Sequence, residues 1–263
     1  MDFWTRGTLR SLILGLNLWA SVGWAQYYTF SANQRPNVAW QDPQNVISAA
    51  ARSTVDLLSW AQLPGTRPRP SESYNRLKHF GSWIETQDDD CYDTRAEVLI
   101  RDSEKEVQFA ANNPCRVAAG YWSDPYSGRS FTQARDIQID HVVALKTAYD
   151  SGAYSWTPKA RCAFANFKGY ELHLLSVWGR ENQAKGDRAP DQWMPSDVRY
   201  ACQHLHNWLT VKLAWNLNME SSEAQAVRHY LQKFQCETDE FRISRSEMAQ
   251  IRRAAQQALE DCR

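Results

Sequence analysis

Six cysteines, Cys91, Cys115, Cys162, Cys202, Cys236 and Cys262, lie in the last two thirds of a 263-residue chain, and none precedes them. What they can do depends on the first 25 residues. "MDFWTRGTLR" carries Arg6 and Arg10, "SLILGLNLWA" is a short apolar run, and "SVGWAQ" offers Gly23 and Ala25 where a signal peptidase requires small residues. That pattern predicts a cleaved export signal at 1–25, too short for a membrane span. An even set of cysteines confined to the exported part then predicts disulfides and a secreted or periplasmic protein. Cross-links constrain the fold more than any local propensity, because they tie together segments far apart in sequence.

The formal net charge is zero, and removing the signal takes away two arginines and one aspartate, leaving −1. A globally basic nucleic-acid binder is excluded. Any affinity for nucleic acid has to come from a local concentration of positive charge. A Trp-rich core accounts for most of the 12 tryptophans, three of which (Trp4, Trp19, Trp24) belong to the signal.

The hydrophobic periods divide the chain. "DPQNVISAAARSTVDLLSWAQ" spaces Val46, Ala49, Ala50, Val55, Leu58 and Trp60 as a helix, and "LPGTRPRPSES" reads as a linker. These make an N-terminal helical segment and linker at 26–72. From Tyr74 to about Gly128 short helices and strands are expected in alternation, closed by the turn "DPYSG". "DIQIDHVV" reads as a strand, "ALKTAYDSGA" and "PKARCAFAN" as helices, "KGYELHLLSV" as a second strand and "GRENQAKGD" as a short helix stopped by Gly186. The main domain is expected at 73–218, with C-terminal helices at 219–263 packed on it. The predicted class is α+β.

Three polar positions line up along that order. His141 follows Asp140 at the end of the first strand, His173 sits between Leu172 and Leu174 in the second, and Asn182 lies on the short helix with Lys185 three residues on. Strand, strand and helix with polar residues at these places give the order of a ββα-metal nuclease site.

The sequence here resembles the secreted HNH endonucleases related to the C-terminal domain of GmrSD-type restriction enzymes. The resemblance covers about Tyr74 to Cys236 in the runs "YNRLKHFGSW", "CYDTRAEVL", "GYWSDPYSG", "IDHVVALKTAYDSGA", "FAN", "HLLSVWGRENQAKGD", "WMP" and "VKLAWNL". The chain departs from the family pattern at Ala144, where the family usually has Pro, and at His173, where it usually has Asn. The resemblance implies a ββα-metal, HNH-like core wrapped by helices.

The chemistry explains the residue types. Phosphodiester hydrolysis needs an activated water, for which an imidazole titrating near neutrality is suited, and this makes His141 the expected general base. A hard divalent cation, Mg²⁺ or Mn²⁺, would stabilise charge on phosphorus and on the leaving oxygen. Asp140 and Asn182 offer the oxygens for it, and the resemblance implies the same roles. His173 is expected to hold the base loop in register across the hairpin. Arg95 and Lys185 are expected to contact substrate phosphate. The expected substrate is DNA cut with little sequence specificity, with RNA left open. Two alternatives stand beside it: a structure- or modification-selective DNA-processing nuclease, and an inactive exported nucleic-acid-binding module.

Other polar residues have plainer readings. Asp88, Asp89 and Asp90 read as a solvated acidic turn rather than a calcium loop. His204 and His206 lie two apart on a helix and face different ways, so they cannot share a metal. His79 and His229 read as surface or packing residues.

The family resemblance implies that Cys91 and Cys115 pair. If the helix ending near Leu217 and the one starting near Ser221 form an antiparallel hairpin, Cys202 and Cys236 each lie roughly 22 Å from the turn at the same end, and can pair. Cys236–Cys262 is the competing possibility. Cys162 and Cys262 are left open.

Overall fold

The computed structural model describes residues 54–61, 70–85 and 90–262. The signal segment, most of the linker, and Asp88 and Asp89 lie outside the described residues. The chain is a mixed α+β structure. β1 (Thr54–Asp56) and α1 (Leu57–Ala61) open it, followed by α2 (Arg76–His79) and α3 (Thr94–Asp102). Then come β2 (Gln108–Ala110), β3 (Asn113–Ser123), β4 (Ser130–Gln133), β5 (Ile137–His141), α4 (Leu145–Asp150) and α5 (Pro158–Ala165). β6 (Leu174–Trp178), α6 (Gly179–Lys185), α7 (Ala201–Ala214), α8 (Ser221–Phe234), β7 (Arg242–Ser244) and α9 (Arg245–Asp261) complete it.

The helix expected through Val55 does not run through it. Thr54–Asp56 instead pairs antiparallel with Arg242–Ser244. The Asp56 carboxylate then accepts from the backbone N–H of Leu58 (2.9 Å) and Ser59 (3.0 Å), which starts α1 one residue later. A capping carboxylate and a partner strand nearly 190 residues away override the apolar period.

Elsewhere the local signals act as expected. Asn75, Asp93, Thr157 and Ser244 cap α2, α3, α5 and α9 through their side chains. Gly152 (φ 130°) follows α4 and Gly186 (φ 55°) ends α6, conformations that cost a glycine little. The "RAEVLIRDS" stretch is helical.

Two cores share the sheet. One face of β5, with Ile137 and Ile139, packs with Leu174, Val98, Leu99, Val117 and Trp122 against α3 and β3. The larger core lies among α4, α5, α7, α8 and α9, with Phe164, Trp208 and Leu209 fully buried. Val55 and Leu57 belong to that same core, so the N-terminal segment packs with the C-terminal helices. β5 and β6 form a two-stranded antiparallel ladder, with Asp140 opposite Leu175 and His141 opposite Leu174. The outer side of β6 is held by α3: the Arg101 guanidinium donates to the Leu174 carbonyl (2.6 Å), and the Asp102 carboxylate accepts from Ser176 N–H (2.9 Å).

All six cysteines are bonded. Cys91–Cys115 closes β3 onto the start of α3, and Cys202–Cys236 joins the α7–α8 hairpin at one end. Cys162–Cys262, left open by the sequence, ties α5 to the end of α9 across 100 residues. The Cys236–Cys262 possibility falls with it.

Candidate functional site

Successive residues on a strand point to opposite faces, and this sorts the site. Gln138 and Asp140, two apart on β5, face α6. Asn182 and Lys185, three apart on α6, face back. The two pairs meet: Asn182 Nδ2 donates to Gln138 Oε1 at 2.9 Å, and Lys185 Nζ donates to Asp140 Oδ1 at 2.8 Å. Lys185 also donates to the His141 carbonyl at 2.8 Å, and Tyr126 donates its hydroxyl to Asp140 Oδ2 at 2.6 Å. Burial pushes the Asp140 carboxyl above the usual carboxylate range, against the pull of Lys185 and Tyr126.

This places two expected site residues differently. Lys185 is 1% exposed, so its ammonium lies inside the fold rather than where a substrate phosphate could reach it. Asp140 has a partner on each oxygen and offers a cation only the remaining lone pairs. The reason is tertiary: β5 and α6 dock so that their inward rows coincide, and a buried carboxylate takes the nearest cation.

His141 points the other way. Its ring lies flat against Trp83 (5.3 Å between centroids, 6° between planes), and Arg76 sits over that indole at 5.2 Å. Nε2 is 2.8 Å from the Ala165 carbonyl oxygen. A carbonyl only accepts, so Nε2 carries the proton and Nδ1 keeps its lone pair. That Nδ1 is not among the buried unpaired atoms, unlike Nδ1 of His173 and of His204. Burial, and then the neighbouring His173, push the His141 pKa well below its ordinary value, so the ring is neutral.

His173 ends a 3₁₀ turn (Glu171–His173) just before β6. Its carbonyl accepts from Val142 N–H at 3.1 Å across the hairpin. Its side chain goes elsewhere: Nε2 donates to the Phe164 carbonyl at 2.8 Å. His141 and His173 therefore hang on consecutive carbonyls at the end of α5, and fix that end against the hairpin. Burial lowers His173 to about 4.

A concavity of about 320 Å³ opens beside these groups, lined by His141, Asp140, Asn182, Arg76, Lys146 and Asp187 among others. With its Nδ2 anchored on Gln138, Asn182 has its amide oxygen free. Among the described residues, no group of three or more His, Cys, Asp or Glu is placed to hold a metal ion. The donors here are oxygens without thiolates, and few: the Asn182 amide, the shared Asp140, and Asp187 at the rim. Such a set fits only a hard cation that keeps most of its waters. Arg95 lies outside this concavity; its Nη2 donates to the carbonyls of Ala134 (3.1 Å) and Ile137 (2.8 Å).

Sequence reading missed Trp83, Arg76, Tyr126 and the Ala165 carbonyl. Trp83 and Tyr126 stand in the quoted runs "YNRLKHFGSW" and "GYWSDPYSG", but nothing local says that an indole covers one histidine or that a turn tyrosine reaches a strand carboxylate. Ala144 keeps φ −53° and ψ 144°, which a proline also adopts.

The fold and its cross-links define a secreted, disulfide-bonded α+β protein, and among the described residues no helix is long and apolar enough to cross a membrane. The chain belongs to the same family as an uncharacterized secreted protein of Arthroderma benhamiae, to which it is 37% identical over 190 residues, spanning 72% of this chain and 87% of that one. No family model matches the chain. No solved structure matches it.

Proposed function

We propose that this protein is a secreted, metal-assisted endonuclease of HNH type, with β5, β6 and α6 as its ββα-metal unit and DNA as substrate. One observation carries the reading. Ala165 fixes His141 in the tautomer with a bare Nδ1, at the edge of a concavity that also holds the free amide oxygen of Asn182. The resemblance in the sequence adds to it.

In this reading His141 Nδ1 takes a proton from a water as the water oxygen attacks phosphorus. The phosphodiester bond to the leaving oxygen breaks, and that oxygen receives a proton from solvent. A Mg²⁺ or Mn²⁺ ion, when bound, supplies charge stabilisation on the phosphate and on the leaving oxygen. Asn182 would hold it through its amide oxygen, with Asp140 a shared contributor. Trp83 stacks flat on His141, and Lys185 and Tyr126 each donate to an oxygen of Asp140 and so fix β5 on α6. Arg76 supplies positive charge at the mouth, where Lys146 is paired with Asp150 and Asp187.

The test is digestion of plain plasmid with Mg²⁺, with EDTA, and with His141→Ala. The reading expects cutting that EDTA abolishes and metal restores, and a loss of about 10²–10⁴ in rate for His141→Ala. Cutting by His141→Ala at the wild-type rate refutes the general base. DNA retarded in a gel but left whole under every metal condition assigns the protein to binding without catalysis.

A further inference from the structure

At the other end of β5 from His141 lies a second concavity, of about 450 Å³, with Arg95, Arg116 and Arg135 on its walls beside Gln133. No carboxylate lines it. Among the described residues none of the three arginines forms an ion pair. They come from three separate elements: α3, β3 and the 3₁₀ turn Ala134–Asp136. Arg116 and Arg135 are exposed. Arg95 is half-buried and is held rigid, because the carbonyls of Ala134 and Ile137 take two of its N–H bonds at Nη2. Its Nε and Nη1 donors remain. Asp93, whose charge also acts on Arg95, is committed to capping α3 through Ala96 N–H at 2.8 Å.

Positive charge continues next to this pocket. Trp178 pairs with Ile137 in the ladder, and two further exposed arginines lie over its ring, Arg129 at 4.9 Å and Arg180 at 5.7 Å. Neither forms an ion pair among the described residues. Five guanidinium groups with no ion pair among the described residues thus gather at one end of β5, Arg116 donating only to the Asn112 amide oxygen at 3.4 Å, in a chain whose formal net charge is zero. Unpaired like charges repel, so their collection is explained by an anionic ligand.

We propose that the Arg95–Arg116–Arg135 pocket is a phosphate subsite that holds the nucleic-acid backbone away from the point of cleavage. This rests on the nuclease reading above and names how its substrate is tracked. Ile137 and His141 are four residues apart on an extended strand, about 13 Å. That equals about four base-pair steps along a duplex axis, at about 3.4 Å of axis per phosphate on each strand. Arginine's planar fork suits phosphate oxygens, and Arg95, with one edge already fixed, offers its remaining donors at low entropy cost.

The experiment uses the full exported chain with Arg116→Gln and Arg135→Gln combined. Both residues are exposed, and neither takes part in the core. The probe is a fluorescein-labelled 20-base-pair duplex with EDTA present, and affinity is measured across salt concentration. Each phosphate contact contributes about 0.9 to the slope of log K against log salt. The double variant should therefore bind more weakly and lose about 1.8 from the slope, and Arg116→Lys with Arg135→Lys should regain most of it. An unchanged slope in the glutamine variant overturns the subsite. Wild-type hydrolysis of bis(p-nitrophenyl) phosphate, a diester too small to reach both ends of β5, tests the nuclease reading separately. Hydrolysis with an unchanged slope leaves that reading standing and removes the subsite. No hydrolysis with the expected slope loss keeps a phosphate site on a binding protein. No hydrolysis with an unchanged slope removes both.

Discussion

Acid should unfold this protein through histidines that it buries neutral: His141, whose pKa burial holds well below its ordinary value, and two that are almost fully enclosed. His173 is 0% and His204 1% exposed. Burial lowers their pKa values from an ordinary 6.5 to about 4 and about 3. His173 sits among Phe164, Phe167 and Trp215, and the positive charge near it is Arg101. His204 sits among Tyr126, Trp193 and Tyr200, and the nearby charge is Lys185. Both cations oppose protonation. Because these folded-state values lie below the unfolded one, the unfolded chain binds the extra protons. Stability is complete above about pH 6.5 and falls as pH drops through the window towards 4, by about 1.4 kcal/mol per pH unit for each ring. At about pH 4.5 each site has cost roughly 2–3 kcal/mol, and the two together on the order of 5. That is comparable with the whole stability of many domains. Asp140, whose pKa is raised, acts in the opposite direction and offsets part of the loss. The assay is therefore a difference: urea midpoints of the wild type and of His204→Phe between pH 7 and 4.5. The phenylalanine keeps a ring against Tyr126 and removes one proton from the linkage. Its stability should fall with pH less steeply, by about one proton's worth. Parallel curves would show that His204 does not titrate on unfolding, and would refute the burial argument.

Three further outcomes follow from the packing. Lys185→Met should cost about 3–5 kcal/mol because it strands the buried Asp140 carboxylate, and adding Asp140→Asn should recover much of it; urea denaturation of the single and double variants checks this. Removing Cys162–Cys262 should cost more than removing either other bridge, about 4.7 kcal/mol against about 3.8 for Cys202–Cys236 and about 3.4 for Cys91–Cys115, because loop closure scales with separations of 100, 34 and 24 residues; thermal scans of the paired Cys→Ser variants give the order. Ala144→Pro should leave the fold intact and raise stability by about 0.4–1 kcal/mol, since φ is already −53°; a drop in melting temperature would contradict it.

What the sequence made legible was whatever one segment decides alone. The helices of "PKARCAFAN" and "SRSEMAQIRRAAQQALEDC" begin at Thr157 and Ser244 because those side chains cap them, and cap and period are both local. The expected export signal made the cysteines readable as bridges, and helix rise was enough to bring Cys202 to Cys236. Cys162 and Cys262 stayed open because α5 and α9 meet through a core that spans 100 residues of chain. The site divides in the same way. Asp140, His141, Asn182 and Lys185 stand out in the sequence as residue types at suggestive spacings. Their partners do not, because a partner is fixed by docking register. Gln138 and Asp140 alternate on a strand, Asn182 and Lys185 repeat on a helix, and the sequence carries both spacings. That the two rows face each other, so that Lys185 neutralises Asp140 from inside, depends on how α6 lies against β5. A carboxylate already holding an ammonium and a tyrosine hydroxyl adds little negative field, so in the nuclease reading a cation here would be held mainly by Asn182, water and the phosphate of the proposed substrate. Affinity for metal should therefore rise when nucleic acid is present, and the arginines at the far end of β5 would matter most before the metal is in place.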